Sequence, residues 1–198
     1  MKAVLAEVPQ TLLDWRRRTG ADIWDEMWEG VLHMPPAPDP GHQDFQADLV
    51  TWLRVYWQRP RGNKVFPTVN LAPVGGWPDD YRIPDLILLT PDRLHIQRKA
   101  YFEGAPLAVV EIRSPGDETM EKLPFYARLG VVEVWVIDRD TKIPQLYRLE
   151  GGRYQLQQPA AEGWLHSAAG ILLRAEPDNR LTIQLADDPS TGRLLPEG

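Results

Sequence analysis

A chain of 198 residues with 43% hydrophobic and 25% charged residues has the make-up of a globular domain with a real core, not of a disordered segment. It has no cysteine, which removes disulfides, thiolate zinc sites, iron–sulfur clusters and cysteine nucleophiles together. A formal net charge of −6 and a pI near 5.2 speak against a protein that coats nucleic acid through a general basic face.

No repeat, low-complexity tract or Gly/Ser linker divides the chain, so one domain over 1–198 is expected. Glu7 interrupts the start before an apolar stretch long enough for a signal peptide. No later run approaches the ~20 apolar residues of a membrane span, and a cytoplasmic location is expected. Lysine is confined to Lys2, Lys64, Lys99, Lys122 and Lys142, so arginine carries most of the positive charge.

Taken in order, 11–18 reads as a short helix, and 24–29 with 31–34 flank Gly30 as a hairpin. Pro35, Pro36 and Pro38 force an extended connection. Asp39 before Pro40 is an N-cap with proline at the first helical position, and Phe45, Leu49, Trp52, Leu53 and Tyr56 keep helical spacing until Pro60. Three apolar runs, 64–71, 84–90 and 107–112, read as strands, the last two buried on both faces because neither alternates. A helix over 117–129 closes at Gly130, although Pro124 makes its regular part begin late or bend. The buried strand 131–138 completes a βαβ unit. Gly151-Gly152 and the run 171–173 after Gly170 predict C-terminal β-hairpins added to the sheet. The sum is an α/β fold, a mixed β-sheet flanked by helices.

Strand 107–113 carries the chemistry. Leu107, Val109, Glu111 and Arg113 share one face, and Ala108, Val110 and Ile112 the other. A carboxylate at the end of a buried strand needs a cation, so Glu111 meets either a metal ion or an arginine, Arg113 or Arg82. Asp85, after Pro84 at the mouth of a second buried strand, suits a local turn when taken alone. As a pair on neighbouring strand ends, Asp85 and Glu111 are what magnesium takes from a protein, the rest of its octahedron being water and substrate phosphate.

His42 and Gln46 continue the inward stripe of Phe45 and Leu49 and need polar partners; for a histidine at a helix start a backbone carbonyl is the common one. His33, His95 and His166 have no metal-ligand spacing, and zinc is not expected. Phosphate-binding loops, the G-x-S-x-G elbow and H-E-x-x-H are all missing. Trp77, in the glycine-rich loop before Asp85, is open to two readings, a stacking platform for bases or a core aromatic. The basic concentrations are Arg16 to Arg18 and the group Arg54, Arg59, Arg61 and Lys64, the second suited to complementing a helix C-terminus.

Pro84-Asp85 on one strand and Glu111-Ile-Arg113 on the next resemble the PD-(D/E)XK nuclease superfamily. Within it the chain is similar to the Uma-two restriction endonuclease family, from about Thr11 to Thr182. The likeness rests on Trp28-Glu-Gly-Val-Leu-His-Met-Pro35, His42-Gln43, Arg82-Ile-Pro-Asp85, Val109-Val-Glu-Ile-Arg-Ser-Pro115, Lys122 with Tyr126, and Gly130-Val-Val-Glu-Val-Trp-Val-Ile-Asp138. It implies hydrolysis of DNA phosphodiesters dependent on Mg²⁺ or Mn²⁺. Asp85, Glu111 and the Ile112 carbonyl would be the metal ligands, and a lysine would position the attacking water.

Where the superfamily has that lysine, this chain has Arg113, which can stabilise a phosphate but cannot act as a base. Lys122, on the following helix, then takes the lysine's place, and Gln46 would join the metal's water network. The rival reading is a non-catalytic binding or assembly module in which Glu111 merely pairs with Arg113. The acidic pI favours that rival, and the co-occurrence of Asp85, Glu111 and Lys122 favours the enzyme. Cutting two strands suits a twofold homodimer.

Overall fold

The apolar runs without alternation become the strands covered on both faces. In the computed structural model, which describes residues 3–5 and 8–197, the chain begins with β1 (Ala3–Leu5), α1 (Gln10–Thr19), β2 (Glu26–Trp28), β3 (Val31–Met34) and α2 (Pro40–Trp52). The readings at Lys2 and Glu7 lie outside the described residues. Then follow β4 (Lys64–Pro67), β5 (Leu71–Ala72), β6 (Leu86–Leu89), β7 (Phe102–Glu103), β8 (Ala108–Arg113), α3 (Thr119–Leu129) and β9 (Glu133–Asp138). The last strands are β10 (Pro144–Glu150), β11 (Arg153–Leu156), β12 (Leu165–His166), β13 (Ile171–Glu176), β14 (Arg180–Leu185) and β15 (Asp188–Leu195).

The main sheet has six strands in the order β11, β10, β9, β8, β6, β4. Only β8 and β9 run parallel within it, as a pair joined through a crossover helix must, and here that helix is α3. Alternation along β8 divides the core. Ala108, Val110 and Ile112 pack with Phe45, Leu49 and Leu53 on one side of the sheet. Val109 packs with Phe125 and Tyr126 of α3 on the other.

Several local expectations shift for identifiable reasons. The first helix starts at Gln10 behind Pro9 rather than at Thr11, and ends where Gly20 adopts φ 71°. Asp39 caps α2 as expected, accepting from the His42 N–H at 2.9 Å, with Pro40 first in the helix. Before Pro60, which has no N–H to give, the helix loosens into a π-turn over Leu53–Gln58 and a tight turn over Arg59–Arg61. The run 64–71 is broken after Pro67, where Thr68 takes φ 48°, and Leu71–Ala72 pairs instead with β7. The 117–129 helix begins at Thr119 and contains Pro124.

The hairpin across Gly151-Gly152 joins the main sheet through β10, but the later strands do not. They form a sheet of their own, β12 to β15. Leu181, Ile183 and Leu185 alternate along β14 and present one apolar face, which is buried against the side of the core that holds Trp52 and Leu53. Burying a face was worth more than extending an edge.

Glu133 ties the two sheets together. It is wholly buried and accepts from Trp135 Nε1 at 2.6 Å, Ser167 Oγ at 2.5 Å, the Ala168 N–H at 3.0 Å and Arg148 at 3.0 Å. Glu133→Ala leaves the Trp135 indole, the Ser167 hydroxyl and the Ala168 N–H without their acceptor, while Arg148 keeps the His166 carbonyl at 2.7 Å, and is expected to cost about 3 kcal/mol; the half-exposed Arg148→Ala leaves Glu133 those three donors and costs about 1 kcal/mol. Urea denaturation at constant slope is the measurement; equal losses in the two variants would contradict the assignment.

Candidate active site

Strand register builds the site. Leu86 lies opposite Val110 and Ile87 opposite Val109, so Asp85, one residue before β6, falls beside Glu111 on the α3 side of the sheet. The Ile112 N–H donates to Asp85 Oδ2 at 2.6 Å and joins the strand ends directly. His42 Nε2 donates to Asp85 Oδ1 at 2.9 Å, in place of the backbone carbonyl expected for it; its Nδ1 is buried without a partner among the described residues. Gln46 donates to the Asp85 backbone carbonyl at 2.8 Å and to Thr68 Oγ1 at 3.2 Å. It holds the main chain that carries Asp85 and is not aimed at Glu111.

Glu111 is 3% exposed and accepts from the Tyr126 hydroxyl at 2.5 Å. Its cation is neither Arg113 nor Arg82. Lys122 Nζ lies 3.4 Å from Glu111 Oε1 and 2.8 Å from Glu26 Oε1. Lys122 and Tyr126, one helical turn apart, share the face of α3 turned to the sheet, so Pro124 does not deflect the lysine. Arg82 instead pairs with Asp80 at 2.9 Å, its guanidinium 4.3 Å from the Trp28 ring and 4.1 Å from the Phe125 ring. Arg113 is exposed at the end of β8 and does not line the cleft that Asp85, Glu111, Ile112 and Lys122 share.

Sequence reasoning missed Glu26. It lies on β2, receives the Trp28 indole N–H at 2.7 Å and the Ile83 N–H at 2.8 Å, and is 3% exposed. A buried carboxylate in a short N-terminal hairpin was the available signal. Its partners, however, are far along the chain, so no local spacing reveals them.

Burial pushes the Glu111 carboxyl up to about 8, with Asp85 and Glu26 adding repulsion against the pull of Lys122 and Tyr126. Burial alone would lower Lys122, but the Glu111 and Glu26 carboxylates outweigh it and hold the ammonium above its usual range. Burial, then Glu111 and Glu26, raise Tyr126, which therefore stays a hydroxyl donor.

The cleft over these groups holds about 300 Å³. Trp24, the stretch from Pro35 to Pro38, Ser114, Asp117 and Glu118 line it. Arg139, from the turn between β9 and β10, also lines it, paired with Asp39 and, at 2.8 Å, with Asp140. Trp77 lies elsewhere, its ring stacked 4.9 Å from Tyr101 and tilted 4.8 Å from Tyr81, so it serves loop packing. Of the basic concentrations, Arg61 pairs with Asp187 at 2.8 Å and Arg16 Nε with Asp25 at 2.7 Å.

Among the described residues no three His, Asp or Glu side chains are grouped closely enough to hold an ion by themselves. Two adjacent carboxylates, Asp85 and Glu111, are nonetheless the donor set that suits magnesium or manganese, which keep several waters and take the remainder of their shell from a phosphate. The residues present fit such an ion and do not fit zinc.

Among the described residues no helix is long and apolar enough to cross a membrane. No curated protein matches the chain. Among solved structures it is similar to the crystal structure of "a putative nuclease belonging to DUF820" from Anabaena variabilis ATCC 29413, with a TM-score of 0.55 and 19% identity, covering 69% of this chain and 78% of that one. At that identity the likeness shows a shared fold. A family model, Uma2, described as "Putative restriction endonuclease", matches residues 9–178. With a match over most of its length, the chain belongs to the Uma2 family.

Proposed function

We propose that the chain hydrolyses DNA phosphodiesters with the help of Mg²⁺ or Mn²⁺ held by Asp85, Glu111 and the Ile112 carbonyl. The observation that carries this reading is the ammonium of Lys122 between Glu26 and Glu111, in the cleft that Asp85 also lines. An ion bound there would supply Lewis acidity and a water of lowered pKa. Lys122 holds the attacking water and offsets the charge that develops on the phosphoryl oxygens. Glu26 keeps Lys122 charged and aimed, Tyr126 fixes the Glu111 carboxylate, and His42 with the Ile112 N–H fixes Asp85. Arg139 at the rim is placed to take a phosphate oxygen once it leaves Asp39. Arg113, outside the cleft, is left a role in holding the DNA backbone.

A second reading has its own support. Glu111 already has Lys122 and Tyr126 as partners, so the cluster is self-satisfied and could serve a non-catalytic binding module. Metal titration separates the two. Mn²⁺ at ~100 times its Kd is expected to stabilise the wild type by about 2.7 kcal/mol and to start cleavage of DNA. An Asp85→Ala, Glu111→Ala double variant should show neither effect. Equal stabilisation of both proteins would refute the ligand assignment, and stabilisation without cleavage would favour the binding module.

A further inference from the structure

We propose that the strand admitted to this cleft is unpaired, so that the substrate is single-stranded DNA and not a duplex; this rests on the phosphodiesterase reading above. Depth is the first argument. The side chains of Glu26, Glu111 and Lys122 are only 3%, 5% and 13% exposed, and the space above them is about 300 Å³. That lies at the lower end of the ~300–1,000 Å³ range of small-ligand pockets, room for about one nucleotide. A phosphate in a duplex is fixed on a rigid cylinder and cannot sink to such a floor without bringing its neighbours and the opposite strand with it. An unpaired strand can bend one phosphate in, much as a flipped nucleotide enters a pocket.

Charge is the second argument. Asp39, Asp117 and Glu118 line the walls, Arg139 is already shared between Asp39 and Asp140, and the chain carries −6 overall. Duplex DNA presents a negative charge every ~1.7 Å of axis, twice the density of either strand, so this rim opposes a duplex more than a single strand. The third argument is the surface of the walls. Trp24, Pro36, Pro38 and Ile83 offer apolar faces along the cleft. Bases in a duplex have their faces covered by their neighbours, whereas unpaired bases are free to stack on such a surface.

Fluorescence anisotropy of the full chain is the test, with calcium in place of magnesium, using one 20-mer sequence as a labelled single strand and as a blunt duplex. The single strand is expected to bind at least tenfold more tightly. Trp24→Ala, checked for an unchanged melting temperature, is expected to weaken single-strand binding about tenfold. Equal or tighter duplex binding, absent single-strand binding, or no effect of Trp24→Ala overturns the inference. Parallel cleavage assays in manganese keep the two ideas apart. Equal cutting of both substrates overturns single-strand selection while the phosphodiesterase reading stands. Selective binding of the single strand with neither substrate cut supports the selection and overturns the hydrolase.

Discussion

Glu111→Gln is expected to abolish metal-dependent cleavage, by at least ~10³-fold, and at the same time to stabilise the metal-free protein at alkaline pH. The two effects share one cause. Glu111 is buried at the end of β8 beside Asp85 and within reach of Glu26, an arrangement that favours a divalent ion and disfavours an uncompensated charge. Its carboxyl is pushed up to about 8 from the ordinary glutamate value of about 4.5, so between those values the folded protein holds a proton that the unfolded chain has released. Wild-type stability therefore falls as pH rises from about 4.5 and levels off above about 8.

Glutamine resembles the protonated side chain and does not ionise. The difference between variant and wild type should open over that window and reach on the order of 2 kcal/mol above it, after discounting for the coupling to Lys122. Urea denaturation at pH 5 and pH 9 without metal measures it. A variant less stable than wild type at pH 9 would mean that the Lys122 and Tyr126 contacts outweigh the strain of the buried charge.

Much of this site follows from the sequence by simple physical steps. Leu86–Leu89 and Ala108–Arg113 lack alternation, so they had to be strands buried on both faces, and period-two geometry then put Glu111 among apolar neighbours at a strand end. Asp39-Pro40 and Gly130 marked helix ends through backbone chemistry that acts within a few residues. What was not legible depends on contacts between distant segments. Lys122 is one exposed-looking lysine on a helix until α3 is laid on the sheet, and only the family likeness singled it out. Glu26 and Glu133 stand in short segments that give no hint of the donors converging on them from the loop before β6, from α3 and from the turn before β13. Likewise the C-terminal strands are visible as strands. Whether they extend the main sheet or form another is decided by which apolar face finds the larger partner surface, and local pattern does not encode that.

Lys122→Ala is expected to lower the single-turnover rate of cleavage by ~10²–10³, and Arg113→Ala by only a few-fold, at saturating manganese. Geometry separates the two cations. Lys122 reaches the cleft floor, 3.4 Å from Glu111, while Arg113 is exposed and outside the cleft. Chemistry separates them as well, because a compact ammonium on a flexible stem can follow a water through the reaction, whereas a planar guanidinium is suited to clamping phosphate. Removing Lys122 also strands the buried Glu26 carboxylate, while Glu111, whose carboxyl is already pushed up to about 8, keeps its proton at neutral pH; this can cost ~3–5 kcal/mol of stability, so loss of rate alone would be ambiguous. The double variant Glu26→Gln, Lys122→Ala removes the stranded charge and should recover much of that stability without recovering the rate. Manganese affinity should not fall in any of these variants, since Lys122 competes with a metal ion for Glu111 instead of supporting it. If Arg113→Ala abolishes cleavage and Lys122→Ala does not, the lysine is a structural ion-pair partner and Arg113 has taken over its chemistry. If the double variant regains both stability and rate, the contribution of Lys122 was to the fold alone.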